Sequence, residues 1–442
     1  MSKLLKKIKN FNNRNKKYIF LIPLVCILMF VSFGAGVYTF YYKIFPFNAS
    51  KKIVKKINFL NTAYNDIELE TINTPSYSKY GGIDFLNDQL IYVQGNGEIF
   101  VLNDDNNNLS FKKINSQKLP INKEQFINKY EKKYGSARLD NGFGVKDILI
   151  EKFNTSKKDL LILSSLDYDV KDDCYQLSLF LSEFIDTNKV SLNKWKKIYS
   201  SKDCLSLEPN RLETIPLASI GGRIIKYDKE NILLSIGYFG DLTSEKLSQD
   251  LTNHYGKIIK INLKDFSNQI FSYGHRNPQG LSMLDKKNIL STEHGPEGGD
   301  ELNHIIKEKN YGWPVATYGT DYGKKLWKQD ITNNSHNGFE KPIYSWGNSY
   351  AASQLIFYKS NYFDKWKNNI LITSLAANTL TRMIYDKEKK SILYIENILI
   401  DKRIRDIVEA PNGQVILLTD QTGGIDGYNQ IPEIIFLKKK VY

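Results

Sequence analysis

The stretch GHRNPQGLSMLDKKNILSTEHGPEGGDELNHI, Gly274 to Ile305, concentrates side chains able to do chemistry. His275 and His294 belong to the residue type that exchanges protons near neutral pH. Arg276 carries a planar guanidinium fork suited to carboxylates. The Gly295-Pro296 turn leaves backbone carbonyls open to approach, and Asp300 with Glu301 adds carboxylate oxygens. A turn that only reverses the chain needs one or two of these features. A second cationic pair stands at RIRD, where Arg403 and Arg405 alternate along a strand-like run and so share one face. Other chemistries lack their residues: there is no paired Cys/His spacing for zinc, no Gly-x-Ser-x-Gly elbow and no nucleotide-binding glycine loop.

Short β-hairpins must position these groups. Alternating apolar runs separated by turns of Asp, Asn, Gly or Lys recur at residues 81–94, 222–237, 280–295 and 404–420. Further period-two runs lie between them, and aromatic content is 13%, which suits pleated, half-buried surfaces. One helix is expected over residues 123–135, KEQFINKYEKKYG. Many short strands without a βαβ rhythm predict an all-β sandwich, barrel or propeller. At roughly 50–60 residues per unit, about six blades fill the chain beyond residue 70.

The net charge of +13 does not mark a nucleic-acid binder. Residues 1–56 hold twelve Lys or Arg and no acid, which leaves the rest of the chain at +1. Residues 18–42, YIFLIPLVCILMFVSFGAGVYTFYY, carry no charge and are long enough to span a bilayer. Seven basic residues precede them and put the N-terminus in the cytoplasm, with the remainder on the periplasmic or extracytoplasmic side. A cleaved signal peptide is the alternative, but the run is long and no clear Ala-x-Ala site follows it. The expected order is a basic cytoplasmic N-terminus (1–17), a transmembrane signal anchor (18–42), a stalk (43–70) and an all-β domain (71–442). Cys174 and Cys204 both fall on the exported side and are expected to form a disulfide.

YGHRNPQGL (273–281), TEHGPEGGDELNHI (292–305) and NYGWPVATYG (310–319) closely resemble the soluble, PQQ-dependent glucose and aldose-sugar dehydrogenases, the glucose/sorbosone dehydrogenase family. The resemblance runs through FGVKDILIEKF, GGRIIKYDKENILLSIGYFGD, SQDLTNHYGKIIKI and RIRDIVEAPNGQVILLTD, and covers most of residues 75–435. It implies a six-bladed β-propeller, here preceded by the N-terminal transmembrane helix. It also implies a tricarboxylate ortho-quinone cofactor, PQQ, contacted by Arg276, Asn277, Arg403 and Arg405. Ca²⁺ is the second implied component; Gly295 and Pro296 are one carbonyl source, and Glu301 with the Tyr311 carbonyl resembles another site. The implied partners are a sugar or alcohol substrate, an electron acceptor of unknown identity and, through the anchor, the membrane.

The chain departs from the family pattern on the substrate side. The family's proton-abstracting histidine precedes a Gly-Gly-Arg; here the text is LASIGGRI, and Ser219 holds that place. No histidine occurs before residue 254, and general-base catalysis is typically worth about 10²–10⁴-fold. Ala376 stands where relatives carry a cofactor-reaching lysine, and Tyr238 where they often carry an aspartate. His275 and His294 remain as substitute bases, although a structural role in the blade turns is the simpler assignment. Two functions are therefore open: a membrane-anchored dehydrogenase with an altered base, or a catalytically degenerate propeller that binds a ligand, glycan or protein partner.

Overall fold

The computed structural model describes residues 56–76, 79–105, 108–134, 142–186, 190–206, 219–240, 245–320, 332–333, 336–420 and 431–440. The expected cytoplasmic tail, transmembrane anchor and first part of the stalk lie outside them. Among the described residues, no helix is long and apolar enough to cross a membrane.

Six sheets of four or more strands follow one another along the chain. Their first strands are Gly81–Leu86, Val145–Lys152, Gly221–Lys226, Pro278–Asp285, Ala352–Phe357 and Ile404–Glu409. Each first strand packs against those of the two neighbouring sheets, and the last returns to the first, so the six form a closed ring. This is a six-bladed β-propeller, and the expected hairpins supply the inner strands of blades 1, 3, 4 and 6. The helix forms over Lys123–Tyr134. It buries Phe126 and Tyr130, one helical turn apart, against Phe143, Tyr168 and Tyr175. Cys174 and Cys204 are bonded, with sulfurs 2.01 Å apart.

The stalk expectation is corrected from Lys56 onward. Lys56–Asn61 and Asp66–Asn73 are strands, and the second pairs with Glu433–Lys439 to complete blade 6. The C-terminal blade contributes only three strands of its own, so an N-terminal strand must cover its open edge. Ile67 and Leu69 alternate into the core, a pattern obscured in the sequence by the acids between and around them.

Hydrogen bonds between neighbouring inner strands run the full circle. Asp406 of blade 6 accepts from the Ile83 amide of blade 1 (3.0 Å), Asp84 from Ile150 of blade 2 (2.6 Å) and Asp147 from Ile224 of blade 3 (2.7 Å). Arg223 Nε of blade 3 donates to the Gln279 carbonyl of blade 4 (3.1 Å). Gln354 of blade 5 accepts from the Leu281 amide of blade 4 (3.2 Å), and Ser353 Oγ donates to the Ile404 carbonyl of blade 6 (2.6 Å). Across this ring, Arg223 Nη1 bonds both Asp147 (2.5 Å) and Asp406 (2.9 Å), all three side chains being almost wholly buried. Burial pushes the Asp147 carboxyl above the usual carboxylate range, and Arg223 opposes that push.

Removing the guanidinium would leave two buried carboxylates facing each other. Arg223→Ala is expected to destabilise the propeller by about 3–5 kcal/mol, read as a lowered melting temperature; an unchanged melting temperature would show that the triad does not hold blades 2, 3 and 6 together.

Candidate cofactor site at the propeller mouth

Because every inner strand is the first of its blade, their starting ends gather at one mouth of the ring. Almost all the chemically distinctive residues lie there. Arg276, Asn277 and Gln279 stand at the start of blade 4, Arg403 and Arg405 at the start of blade 6, and Ser219 two residues before blade 3.

Arg405 is held on three sides. Its Nε (3.1 Å) and Nη2 donate to Asp420 Oδ2, its Nη1 donates to Gln279 Oε1 (3.1 Å), and the guanidinium carbon lies 5.2 Å from the Tyr80 ring centre. Gln279 in turn donates to Asn277 Oδ1 (2.8 Å), which also accepts from the Gly221 amide (3.3 Å). Asn277 Nδ2 lies 3.3 Å from His294 Nδ1. One connected network therefore links blades 3, 4 and 6. Arg403, just before the strand Ile404–Glu409, donates through Nη1 to the Leu375 carbonyl (2.9 Å). Its Nε is buried with no hydrogen-bond partner among the described residues. Burial lowers the Arg403 pKa, with Arg405 adding to the effect and Asp420 opposing it. Such an orphaned donor beside a fixed guanidinium is a place for an anionic ligand.

Arg276 is directed elsewhere. Its guanidinium lies 5.4 Å from the Tyr238 ring centre and 5.1 Å from that of Trp313, and Nη1 donates to the carbonyls of His294 (3.1 Å) and Gly295 (2.5 Å). Arg276, Gly295, Glu301, Tyr311 and Trp313 line a small cleft, of about 10 Å³, the size of a single water. The Gly295 carbonyl thus already faces a cation, and a Ca²⁺ ion there would have to displace Arg276. Glu301 suits a cation better. It lines the same cleft, burial raises its pKa, and its Oε1 lies 3.3 Å from His336 Nε2 while Oε2 accepts from Asn303 (3.1 Å). The Tyr311 hydroxyl donates to the His304 carbonyl (2.6 Å), so this side chain is structural. No cluster of three His, Cys, Asp or Glu side chains arranged for a metal occurs among the described residues. Pro296 packs beside Gly319, a close approach at which a Cβ on Gly319 would fall 2.7 Å from the proline ring.

Neither candidate histidine is poised as a base. His275 is fully buried; Nε2 meets Ser272 Oγ (2.8 Å), Nδ1 meets Glu293 (3.0 Å), and the ring stacks on Tyr311. His294 Nε2 donates to the Ala352 carbonyl (2.8 Å), which leaves Nδ1 to accept from Asn277. Burial, joined by Arg405 and Arg276, holds His294 below the usual histidine range despite Asp300. Both nitrogens of each ring are occupied. Ser219 adopts a left-handed backbone (φ 54°), and its carbonyl accepts from the Phe239 amide (3.1 Å). Ala376 lies exposed next to Leu375, whose carbonyl receives Arg403.

Sequence reasoning missed Asp420 and Gln279 as partners of Arg405. Gln279 was visible within the Pro-Gln-Gly turn, but its target lies 126 positions away. Asp420 directly follows the strand Val415–Thr419 and is the charged residue that closes the VILLTD run.

The sequence model of the Glucose / Sorbosone dehydrogenase family matches residues 185–426. The aldose sugar dehydrogenase YliI of Escherichia coli K12 is 34% identical over 221 residues, 46% of this chain and 58% of that protein. Quinoprotein glucose dehydrogenase B of Acinetobacter calcoaceticus is 27% identical over 248 residues, 41% of this chain and 52% of that protein. The matched region thus spans little more than half the length of these relatives. The PQQ-bound aldose sugar dehydrogenase of Streptomyces coelicolor shares the fold, with a TM-score of 0.56 at 17% identity, covering 88% of this chain and 99% of that one. With more than half of its residues inside the family match and a propeller whose mouth gathers the motif residues, this chain belongs to the glucose/sorbosone dehydrogenase family.

Proposed function

We propose that the chain binds PQQ at the propeller mouth and acts as an oxidoreductase on the CH–OH group of a sugar or other alcohol. The carrying observation is the convergence of Arg403, with its orphaned buried Nε, on Arg405, which Asp420 and Gln279 hold rigidly. The orphaned Arg403 donor beside the Arg405 guanidinium suits a carboxylate of a rigid polycarboxylate. Asn277, tied into the same network, would orient the ligand from blade 4. When bound, PQQ supplies a hydride-accepting ortho-quinone. Calcium is part of this reading at the Glu301 side of the cleft, where one buried carboxylate and nearby carbonyls offer oxygen donors. The Gly295 carbonyl fits such an ion only if Arg276 moves away.

Residues 18–42 would anchor the protein, placing the propeller outside the cytoplasm, where the Cys174–Cys204 disulfide persists. The electron acceptor is not assigned.

A second reading has its own support. With Ser219 in the place of the base and both nitrogens of His275 and His294 engaged, the mouth is built for binding more completely than for proton abstraction. A propeller that retains the ligand and has lost turnover fits these observations.

Titrating PQQ into the purified protein, with and without Ca²⁺, and following the quinone absorbance tests the binding claim. Tight binding is expected, weakened by about tenfold or more in Arg403→Ala. Arg403 is the sharper target, because truncating Arg405 also strips Asp420 of its partner and confounds binding with stability. No binding at high PQQ would remove the cofactor assignment. Ser219→His separates the two readings. The left-handed region tolerates histidine better than most side chains, and a restored base is expected to raise sugar oxidation by about 10²–10⁴-fold. A variant that binds PQQ without any gain would place the lesion elsewhere.

A further inference from the structure

We propose that Lys146, on the inner strand of blade 2, is an additional carboxylate-binding residue of the mouth and supplies there the positive charge that Ala376 does not. The proposal rests on the PQQ-binding reading above and adds to it a residue from the other blade that flanks blade 1.

Lys146 is the second residue of Val145–Lys152 and is 7% exposed. Its stem runs against blade 3, where a Cβ on Gly222 would fall 2.5 Å from Lys146 Cβ; only glycine leaves room for the lysine. The ammonium donates to the Gly142 carbonyl (2.8 Å) and stands 3.5 Å from the centre of the Tyr80 ring. That same ring is approached by Arg405. Lys146 and Arg405 therefore share Tyr80 as a common wall, one reaching it from blade 2 and the other from blade 6. Lys79 precedes Tyr80 in the chain, and Arg403 completes the set. Four cations, Lys79, Lys146, Arg403 and Arg405, thus act electrostatically around Tyr80 and Asp420, the carboxylate that all four share among the described residues.

Burial first, then Arg405 and Lys79, force Lys146 well below the ordinary lysine range; Lys123 acts in the same direction and Asp420 opposes them. Lys79 is lowered likewise, by burial and then by Arg405 and Arg403 against Asp420. A buried lysine held among other cations, with one carbonyl as hydrogen-bond partner among the described residues, gains charge when an anion arrives. A structural lysine would be paired already, as Lys257 is with the carbonyls of Leu247, Ser248 and Tyr255.

The sign follows by linkage. A carboxylate beside Lys146 favours its protonated form and raises its pKa in the complex. The complex then holds more protons than the free protein, so binding takes up protons and affinity falls as pH rises. PQQ binding by the full chain in detergent, measured from pH 6.5 to 9, reads this directly. Calorimetry in two buffers of different ionisation enthalpy gives the proton uptake. Wild type is expected to bind with uptake of up to one proton. Lys146→Met keeps the stem against Gly222 but is expected to bind roughly ten- to a hundredfold more weakly near neutral pH and with less uptake. Lys146→Arg, charged throughout the range, is expected to keep affinity with a flattened pH profile. Wild-type binding with no proton uptake, matched by Lys146→Met, would overturn the proposal while leaving the cofactor reading intact. If Lys146→Met fails to fold, a Lys146→Arg profile as steep as wild type overturns it equally. Failure of the wild type itself to bind would remove the cofactor reading and this proposal with it.

Discussion

One guanidinium, Arg223, joins three blades at the centre of the propeller. It bonds Asp147 of blade 2 and Asp406 of blade 6, and passes a further bond to the blade 4 backbone. Its two carboxylates each cap an amide of the next blade, so every group in the triad has several partners. Such a buried ionic cluster is not an efficient source of stability, since desolvation offsets much of the attraction. What it does is specify geometry. Six sheets packed face to face by apolar side chains alone could slide by a residue pair; polar bonds around the ring fix which residue of each inner strand stands at which height.

That fixed height is what the site depends on. Arg405 precedes Asp406, Lys146 precedes Asp147, and Gly222 precedes Arg223. In each of the three blades, the residue that locks the ring directly follows one of these, at a point where the inner strand shifts register. The Arg223 triad therefore also fixes where Arg405 and Lys146 face each other across Tyr80.

The mouth is polarised between its two halves. Around Tyr80, burial and then the neighbouring cations hold Lys79, Lys146 and Arg403 below their usual ranges. Around Arg276 the guanidinium is enclosed by aromatic rings and carbonyls, and the buried carboxylates of Glu293 and Glu301 lie nearby. The first half thus presents positive charge to an incoming group, while in the second half Arg276 already occupies the Gly295 carbonyl.

By itself, the sequence determined the all-β class, the main hairpins, the helix at Lys123–Tyr134 and the family, because these are written in spacings of two to four residues or in one contiguous motif. It also placed Arg403 and Arg405 together in one motif, although the strand begins only at Ile404 and shifts register before Asp406. Tertiary structure decided the rest. The strand Asp66–Asn73 that closes blade 6 meets a partner strand more than 350 positions away, and Arg223 reaches Asp406 over 183. Whether His275 and His294 were bases or struts depended on Ser272, Glu293, Asn277 and Ala352, brought to them by folding. Lys146 carried no local signal, since a lysine in an alternating strand reads as a solvated residue. It became distinctive once ring closure set it among like charges with almost no water, and hydration and charge environment are properties of the assembled fold.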